Sequence, residues 1–385
     1  MPGNLVDQHS LRVCIFSPLD NAYSETFIKN HITYLPFDKY ILHGEDLANL
    51  SFRDKALLPP TLFNRIRKKI LAKTLREDQL LERARLTSFL KRNKIRVVLA
   101  EYGHIGTIIY EACARLHIPL VVHFHGNDAS HGPTLELLKK EYGKMFAYAS
   151  SIVSVSRSMT ERLRLMGAPA DKIVNNCYGI DTELFQASDE KWEIPTFVAV
   201  GRFVEKKAPH LTLTAFAMAK KENPSIRLIM IGAGPLLETC KQLAKAYRIE
   251  DSVDFAGIRT PAEVAATVAR SLAFVQHSVI GGDGSAEGSP LAILEAGACG
   301  IPVIATRHEG IKDIVIENTT GLLVDEFDIE GMAGAMKILA ADLALARKMG
   351  TAARLHISTN FTLTRHINQL AGIITRSYQG STSDD

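Results

Sequence analysis

Cysteine is scarce and scattered: five residues, Cys14, Cys113, Cys177, Cys240 and Cys299, lie far apart in a chain of 385. Their spacing excludes a metal knuckle or a disulfide framework, and their apolar surroundings fit buried thiols in a reducing cytoplasm. Long apolar runs are also missing, so no stretch is read as crossing a bilayer, and the opening MPGNLVDQHS lacks the pattern of a secretion signal. An excess of one charge is nearly absent. Lys and Arg number 45 against 42 Asp and Glu, and a net charge of +3 gives no argument for nucleic acid. No Asp-x-Asp pair is present to hold a metal-bridged diphosphate. The turn MIGAGP has Gly232 and Gly234, but Leu237 occupies the place where a dinucleotide fingerprint needs its third small residue, which argues against NAD and for a plain strand-to-helix turn. Repeats and low-complexity segments are lacking apart from the tail QGSTSDD.

What is there is ordinary globular material, 46% hydrophobic and 23% charged, and enough chain for two full cores. Short β-rich runs alternate with helical stretches. LRVCIFSP, KYILHG, IRVVLAEYG, PLVVHFHG, SSIVSVS and KIVNNCYG occupy the first half. TFVAVG, IRLIMIG, SVDFAGI, SLAFVQHS, IPVIATRHEG and GLLVDE occupy the second. Apolar strands separated by helices predict parallel sheets covered on both faces, hence an α/β chain of two doubly wound Rossmann-like domains. The polar stretch QASDEKWEIP, residues 186 to 195, marks the seam. Ligands in this architecture sit beyond the C-terminal strand ends, here in the cleft between the domains.

The stretch EGSPLAILEAGACG places Glu287 just before a helix and Glu295 inside it, in otherwise apolar company. Gly288 or Ser289 is expected to cap and Pro290 to take the first helical position. A buried carboxylate needs a partner. Two readings follow: a salt bridge from a neighbouring Lys or Arg, or a ligand site in which the helix N-terminus faces an anion and Glu295, about two turns in, accepts hydroxyl donors.

GRFVEKK places Arg202 and Lys207 in a loop after a strand, either as solvated charges or as a fork and a point charge for a diphosphate. SPLDNAYSETFI lets Ser24 cap a helix whose N-terminus can face phosphate. In HFHGND, His123 and His125 share a strand face, with Asp128 beyond; a metal would need a third ligand that the neighbourhood does not show, so hydrogen bonding by His125 is preferred, and Asp128 is expected to touch substrate. From Thr61 to Arg96 twelve basic residues face three acidic ones with helical spacing, a solvated helix pair or a surface for anionic lipid.

In order along the chain, SETFI at 24–28, HFHGND at 123–128, YGID with Phe185 at 178–185, GRFVEKK at 201–207 and E-x7-E at 287–295 resemble the retaining glycosyltransferases of GT-B fold, the large glycosyl transferases group 1 family, and within it members of exopolysaccharide and lipopolysaccharide assembly. The resemblance implies an acceptor-binding domain over 1–190, a sugar-nucleotide domain over 191–361, and a last helix, about 362–385, packed back on the first domain. It puts Glu295 on the ribose hydroxyls and Glu287 beside the transferred sugar. Backbone N–H groups from Gly288, Ser289 and Leu291 bind sugar and phosphate around Pro290, Arg202 and Lys207 neutralise the leaving diphosphate, and His125 lies near the sugar's 6-position.

It implies a hexosyl- or N-acetylhexosaminyl-type transfer from a UDP-, GDP- or other nucleoside-diphosphate sugar to a saccharide or lipid-linked acceptor. No cofactor and no metal take part, and the protein is cytoplasmic, at the inner face of the membrane. Tyr178 replaces an Asn common in the family, and Ser24-Glu25 replaces a Gly-Gly pair, which puts the phosphate contact of that loop in doubt. The rivals are an epimerase or hydrolase of sugar nucleotides on the same fold, and an inactive sugar-nucleotide-binding partner subunit.

Overall fold

The structure is a computed structural model that describes residues 8–18, 26–52, 55–56 and 75–382. Ser24 and most of the basic stretch between 61 and 81 lie outside the described residues or their side chains, so the expectations placed on them have no structural counterpart.

The twelve β-rich runs all form strands. In the first domain these are β1 (Arg12–Ser17), β2 (Asp38–His43), β5 (Val97–Glu101), β6 (Leu120–His123), β7 (Ser151–Ser154) and β8 (Ile173–Asn175). Two further strands, β3 (Ser51–Phe52) and β4 (Lys55–Ala56), extend the edge in antiparallel fashion. They correct the expectation of a purely parallel sheet; at two residues each they are too short to carry a periodicity. The sheet runs β4-β3-β2-β1-β5-β6-β7-β8. The second domain has β9 (Thr196–Val200), β10 (Arg227–Ile231), β11 (Val253–Gly257), β12 (Ala273–Gln276), β13 (Val303–Thr306) and β14 (Gly321–Val324), all parallel, in the order β11-β10-β9-β12-β13-β14. Strand order reverses between β1 and β5 in one sheet and between β9 and β12 in the other, the switch points beyond which ligands sit in this architecture.

The seam is pinned rather than loose: the Arg270 guanidinium sits 4.0 Å over the Trp192 ring, and Lys191 Nζ donates to the Ala269 carbonyl at 2.6 Å. The C-terminal helix Leu363–Thr382 crosses back to the first domain, where Ile367, Leu370, Ile373 and Ile374 pack with Val13, Ile15, Leu99 and Val121 from β1, β5 and β6. Gly179 makes that crossing fit, since a Cβ there would stand 2.1 Å from the Thr362 carbonyl oxygen. Ile180 and Leu363 exchange backbone hydrogen bonds with Phe361 and Ile180 across it.

Candidate functional site

The helix of EGSPLAILEAGACG is Leu291–Ala298, shorter than the sequence implied. Pro290 is its N-cap residue rather than its first helical residue, and Ser289 does not cap: its hydroxyl is buried without a hydrogen-bond partner among the described residues. Glu295 therefore lies little more than one turn in, not two. Leu291, Ala292 and Glu295, at spacing i, i+1, i+4, share the one half-open face while the rest of the helix is buried. Among the described residues no hydrogen bond or ion pair reaches the Glu295 carboxyl. The salt-bridge reading is thus not met. Burial pushes this carboxyl up to about 7, against a smaller pull from Lys207.

Glu287 is in the opposite condition. It is 7% exposed, and burial alone would raise its pKa, but Lys207 and Lys206 outweigh that and hold it at about 2. Lys207 Nζ lies 3.2 Å from Oε2 and Lys206 Nζ 3.7 Å from Oε1. The Glu287 backbone N–H donates to His308 Nε2 at 3.1 Å, and His308 Nδ1 is bonded to Glu326 at 2.6 Å. Gly201 clears the path of Lys207, whose Cδ would be 2.8 Å from a Cβ at that glycine. Arg202, on the same loop, is exposed, and among the described residues no ion pair or side-chain hydrogen bond engages it. With Gln276, whose Oε1 accepts from Lys207 at 3.5 Å, Arg202 and Lys207 line a pocket over the ends of β9 and β12.

Sequence reasoning missed Lys206. Its ammonium donates to Asn127 Oδ1 of the first domain at 3.2 Å and to the Ala286 carbonyl of the second at 3.1 Å, and burial lowers its pKa. The signal was present as the first Lys of GRFVEKK, but a sequence does not say which of two neighbouring lysines turns inward. Gly288 packs against the first domain so closely that a Cβ would stand 2.4 Å from the His125 carbonyl oxygen.

Two assignments in HFHGND change. Asp128 was expected to touch substrate, yet its carboxylate is spent on the backbone N–H groups of His125, Gly126 and Gly103, at 3.0, 2.9 and 2.8 Å. It holds the loop instead of reaching out of it. His125 has both ring nitrogens engaged, Nδ1 with Tyr178 Oη at 2.5 Å and Nε2 with Glu101 Oε2 at 2.9 Å, so its ring offers no free nitrogen to a sugar. The missing third ligand near His123 also exists: His31, Glu101 and His123 place one ligand atom each within 4.8 Å of one another, all buried. His31 comes from the first helix and Glu101 from β5, too far along the chain for spacing to reveal.

The chain matches the family "Glycosyltransferase Family 4" over residues 46–184 and "Glycosyl transferases group 1" over 181–356. A putative colanic acid biosynthesis glycosyltransferase of Escherichia coli K12 is 33% identical over 212 residues, 54% of this chain and 52% of that protein. An amylovoran biosynthesis glycosyltransferase of Erwinia amylovora is 29% identical over 284 residues, 73% of this chain and 70% of that one. The chain thus aligns with between half and three-quarters of the length of these relatives. Among solved structures, an Anabaena protein in complex with UDP superposes with a TM-score of 0.76 at 14% identity, covering 95% of this chain and all of the other, a likeness that concerns the fold.

Proposed function

Since the chain belongs to the glycosyltransferases that join these two domains in one GT-B fold, we propose that it moves a sugar, with retained anomeric configuration, from a nucleoside-diphosphate sugar to a hydroxyl acceptor in cell-surface polysaccharide assembly. One observation carries the reading: around the ends of β9 and β12 an ionised Glu287 between two lysines, a half-buried unpaired Glu295 and an unpaired Arg202 surround one helix start.

Each group has a task in that reaction. Glu295 accepts hydrogen bonds from ribose hydroxyls, which supply the partners it lacks among the described residues. Arg202 takes up the diphosphate, and Lys207 shares its charge between Glu287 and the leaving phosphate. As the bond from the anomeric carbon to the phosphate oxygen breaks, negative charge grows on the diphosphate, where fixed cations and the N–H groups at the helix start are most effective. The acceptor oxygen bonds to the anomeric carbon on the same face, and its proton passes to the departing phosphate. The proposed step uses no enzyme nucleophile. Asp128 and His125 shape the loop that closes over the sugar.

The donor class is a hexosyl or N-acetylhexosaminyl nucleotide, UDP- or GDP-linked, and the acceptor a saccharide or lipid-linked saccharide. Neither a cofactor nor a metal is part of the proposal. The basic stretch 61–96 would meet anionic lipid by charge, each engaged Lys or Arg adding about 1 kcal/mol. No helix among the described residues is long and apolar enough to cross a membrane. Vesicle co-sedimentation checks the contact: binding should grow with anionic lipid and fall with salt.

The deciding experiment is a thermal-shift screen of UDP-, GDP- and ADP-sugars followed by product analysis with glycan acceptors. A new glycosidic bond with retained configuration supports the reading. An epimerised or hydrolysed sugar without acceptor would replace it by the epimerase or hydrolase alternative, and binding without turnover by the partner-subunit alternative.

A further inference from the structure

Lys206 and Lys207 are neighbours in one short turn, Glu205–Lys207, yet their ammonium groups are engaged in different ways. Each ammonium has three N–H donors and no acceptor. Lys207 donates to Glu287 Oε2 at 3.2 Å and to Gln276 Oε1 at 3.5 Å, and among the described residues nothing takes its third donor. Lys206 donates to Asn127 Oδ1 at 3.2 Å and to the Ala286 carbonyl at 3.1 Å. Its third contact is Glu287 Oε1 at 3.7 Å, an ion pair too long for a hydrogen bond. The proposed reaction gives Lys207 a task and Lys206 none.

Glu287 Oε1 is consequently buried with no hydrogen-bond partner among the described residues, although an ammonium lies beside it. An ammonium and a carboxylate left to themselves close to about 2.7–2.9 Å. The other bonds of Lys206 explain why these two do not. The Ala286 carbonyl belongs to the segment 279–286, which is fixed from two sides. Val279 N–H donates to the Lys206 carbonyl at 3.0 Å and Gly282 N–H to Glu205 Oε2 at 3.4 Å. On the first domain, Ser130 Oγ accepts from Ala286 N–H at 3.1 Å and Gly132 N–H donates to the Asp283 carbonyl at 2.8 Å. Asn127 is also a first-domain residue, in the short helix Asn127–Ser130. Because an ammonium only donates, the side-chain oxygen of Asn127 is the atom turned to Lys206. The ammonium is thus drawn off Glu287 by an oxygen that the first domain supplies, and only while the two domains are together.

We propose that Asn127 is a positioning residue that acts through Lys206: by taking one of its N–H donors it keeps Glu287 Oε1 unbonded, so that this oxygen is open to a ligand hydroxyl only when the domains are closed on each other. With the first domain withdrawn, Lys206 loses Asn127 and bonds to Oε1, and both lysines then hold Glu287. The pair of lysines divides the work: Lys207 faces the pocket at the ends of β9 and β12, and Lys206 reports to Glu287 whether the first domain is in place.

Crystal structures of full-length wild type and Asn127→Leu test the geometry independently of activity. Leucine has nearly the shape of asparagine but no acceptor, and position 127 is exposed, so the fold is expected to be kept. Expected in Asn127→Leu is Lys206 Nζ within hydrogen-bond reach of Glu287 Oε1, about 2.7–3.2 Å, against 3.7 Å with Asn127 present. An unchanged distance overturns the proposal. So does a wild-type structure with closed domains in which Asn127 and Lys206 do not meet. If Asn127→Leu does not fold, Asn127→Ala is read by the same distance.

The kinetic consequence rests on the glycosyltransferase reading. In Asn127→Leu, kcat for transfer should fall about 10-fold, roughly the worth of one hydrogen bond to a charged group. The inhibition constant of the free nucleoside diphosphate, which brings no sugar hydroxyl to Oε1, should stay unchanged. Asn127→Asp keeps an acceptor oxygen and should retain kcat. In a Lys206→Met background, Asn127→Leu should have no further effect. A rise in the inhibition constant that matches the fall in kcat/KM would mean that Asn127 only helps to clasp the domains, and would overturn the positioning role. Additive effects of the two changes, or a shortened distance with wild-type kcat, would overturn it as well. The expected shortening in Asn127→Leu, combined with no transfer by the wild type to any acceptor, would sink the glycosyltransferase reading and leave the coupling of Asn127 to Glu287 standing.

Discussion

Glu287 and Glu295 lie eight positions apart, yet their environments drive their carboxyls to about 2 and about 7. Opposed shifts of this kind separate roles. Glu287 is an anion held between two lysines, whereas Glu295 is a buried carboxyl whose ionised form has no partner among the described residues. For Glu295 the folded-state value lies above the ordinary 4.5, so the folded chain binds more protons between pH 4.5 and 7. Its contribution to stability is present below 4.5 and is lost as pH rises towards 7. Glu295→Gln should therefore melt higher than wild type at pH 8 and alike at pH 4.5, by thermal denaturation without ligand. The same change should weaken nucleotide binding in titration calorimetry more than Glu287→Gln does, because the ribose contact exists before the transition state. Equal nucleotide affinity in wild type and Glu295→Gln would remove the ribose assignment. Arg202→Ala is expected to lower kcat by roughly 10²-fold or more, as loss of a preorganised charge donor does. EDTA should leave activity unchanged; loss of activity with EDTA and recovery with Mg²⁺ or Mn²⁺ would contradict the metal-free mechanism.

At the scale of elements, the parallel strands were legible because most are apolar runs ending in Gly, His or Ser. All twelve runs became strands, while the two-residue β3 and β4 carried no such pattern. The turn MIGAGP was also legible. Gly232 and Gly234 adopt φ of +136° and +154°, and a Cβ on them would stand 2.0 Å from Gly201 O and 2.6 Å from Phe203 O. The glycines let the β10 turn lie against the loop that carries Arg202 and Lys207. Gly234→Ala should thus cost more stability than the about 0.4–1 kcal/mol that a compatible Gly-to-Ala exchange gains, and should lower kcat by displacing Arg202, whereas Gly334→Ala, in an uncrowded helix position, should be neutral or stabilising. Chemical denaturation and kinetics on the two variants compare them directly. What the sequence hid were groups whose partners come from distant elements. Asp128 looked like a ligand group because nothing local revealed three backbone N–H groups to absorb it, and Glu101 looked like an ordinary strand end although His31 and His125 bond to its carboxylate and His123 lies 3.8 Å from it.

For the whole molecule, the two domains are drawn together over the cleft. Gly132 N–H donates to Asp283 O at 2.8 Å, Ala286 N–H to Ser130 Oγ at 3.1 Å and Arg157 N–H to Asp313 at 2.7 Å, while Lys206 reaches Asn127. Arg162 pairs with Glu309 at 2.7 Å with both side chains largely covered. Between these contacts the chain segments at Gly126, Ala286 and Gly288 come together so closely that little more than a side-chain Cβ separates them. In the proposed reaction a donor placed against Glu287 and Glu295 would require this clasp to open for entry and to close around the reacting groups, excluding water and completing the charge cluster. Partly buried, Arg162–Glu309 is the pair most able to weight that balance, since removing one partner leaves the other covered and uncompensated. Arg162→Ala should shift the population to an open form: a larger radius of gyration by small-angle scattering without nucleotide, a higher donor KM, and recovery of the compact form when nucleotide is saturating. Arg162→Ala/Glu309→Ala should be milder than the sum of the single changes by about 0.5–3 kcal/mol, the range for contacting residues. If the single variant keeps the wild-type radius and KM, the pair is a surface contact that follows closure and does not control it, and the backbone contacts through Asp283 and Ala286 would be the elements that hold the domains together.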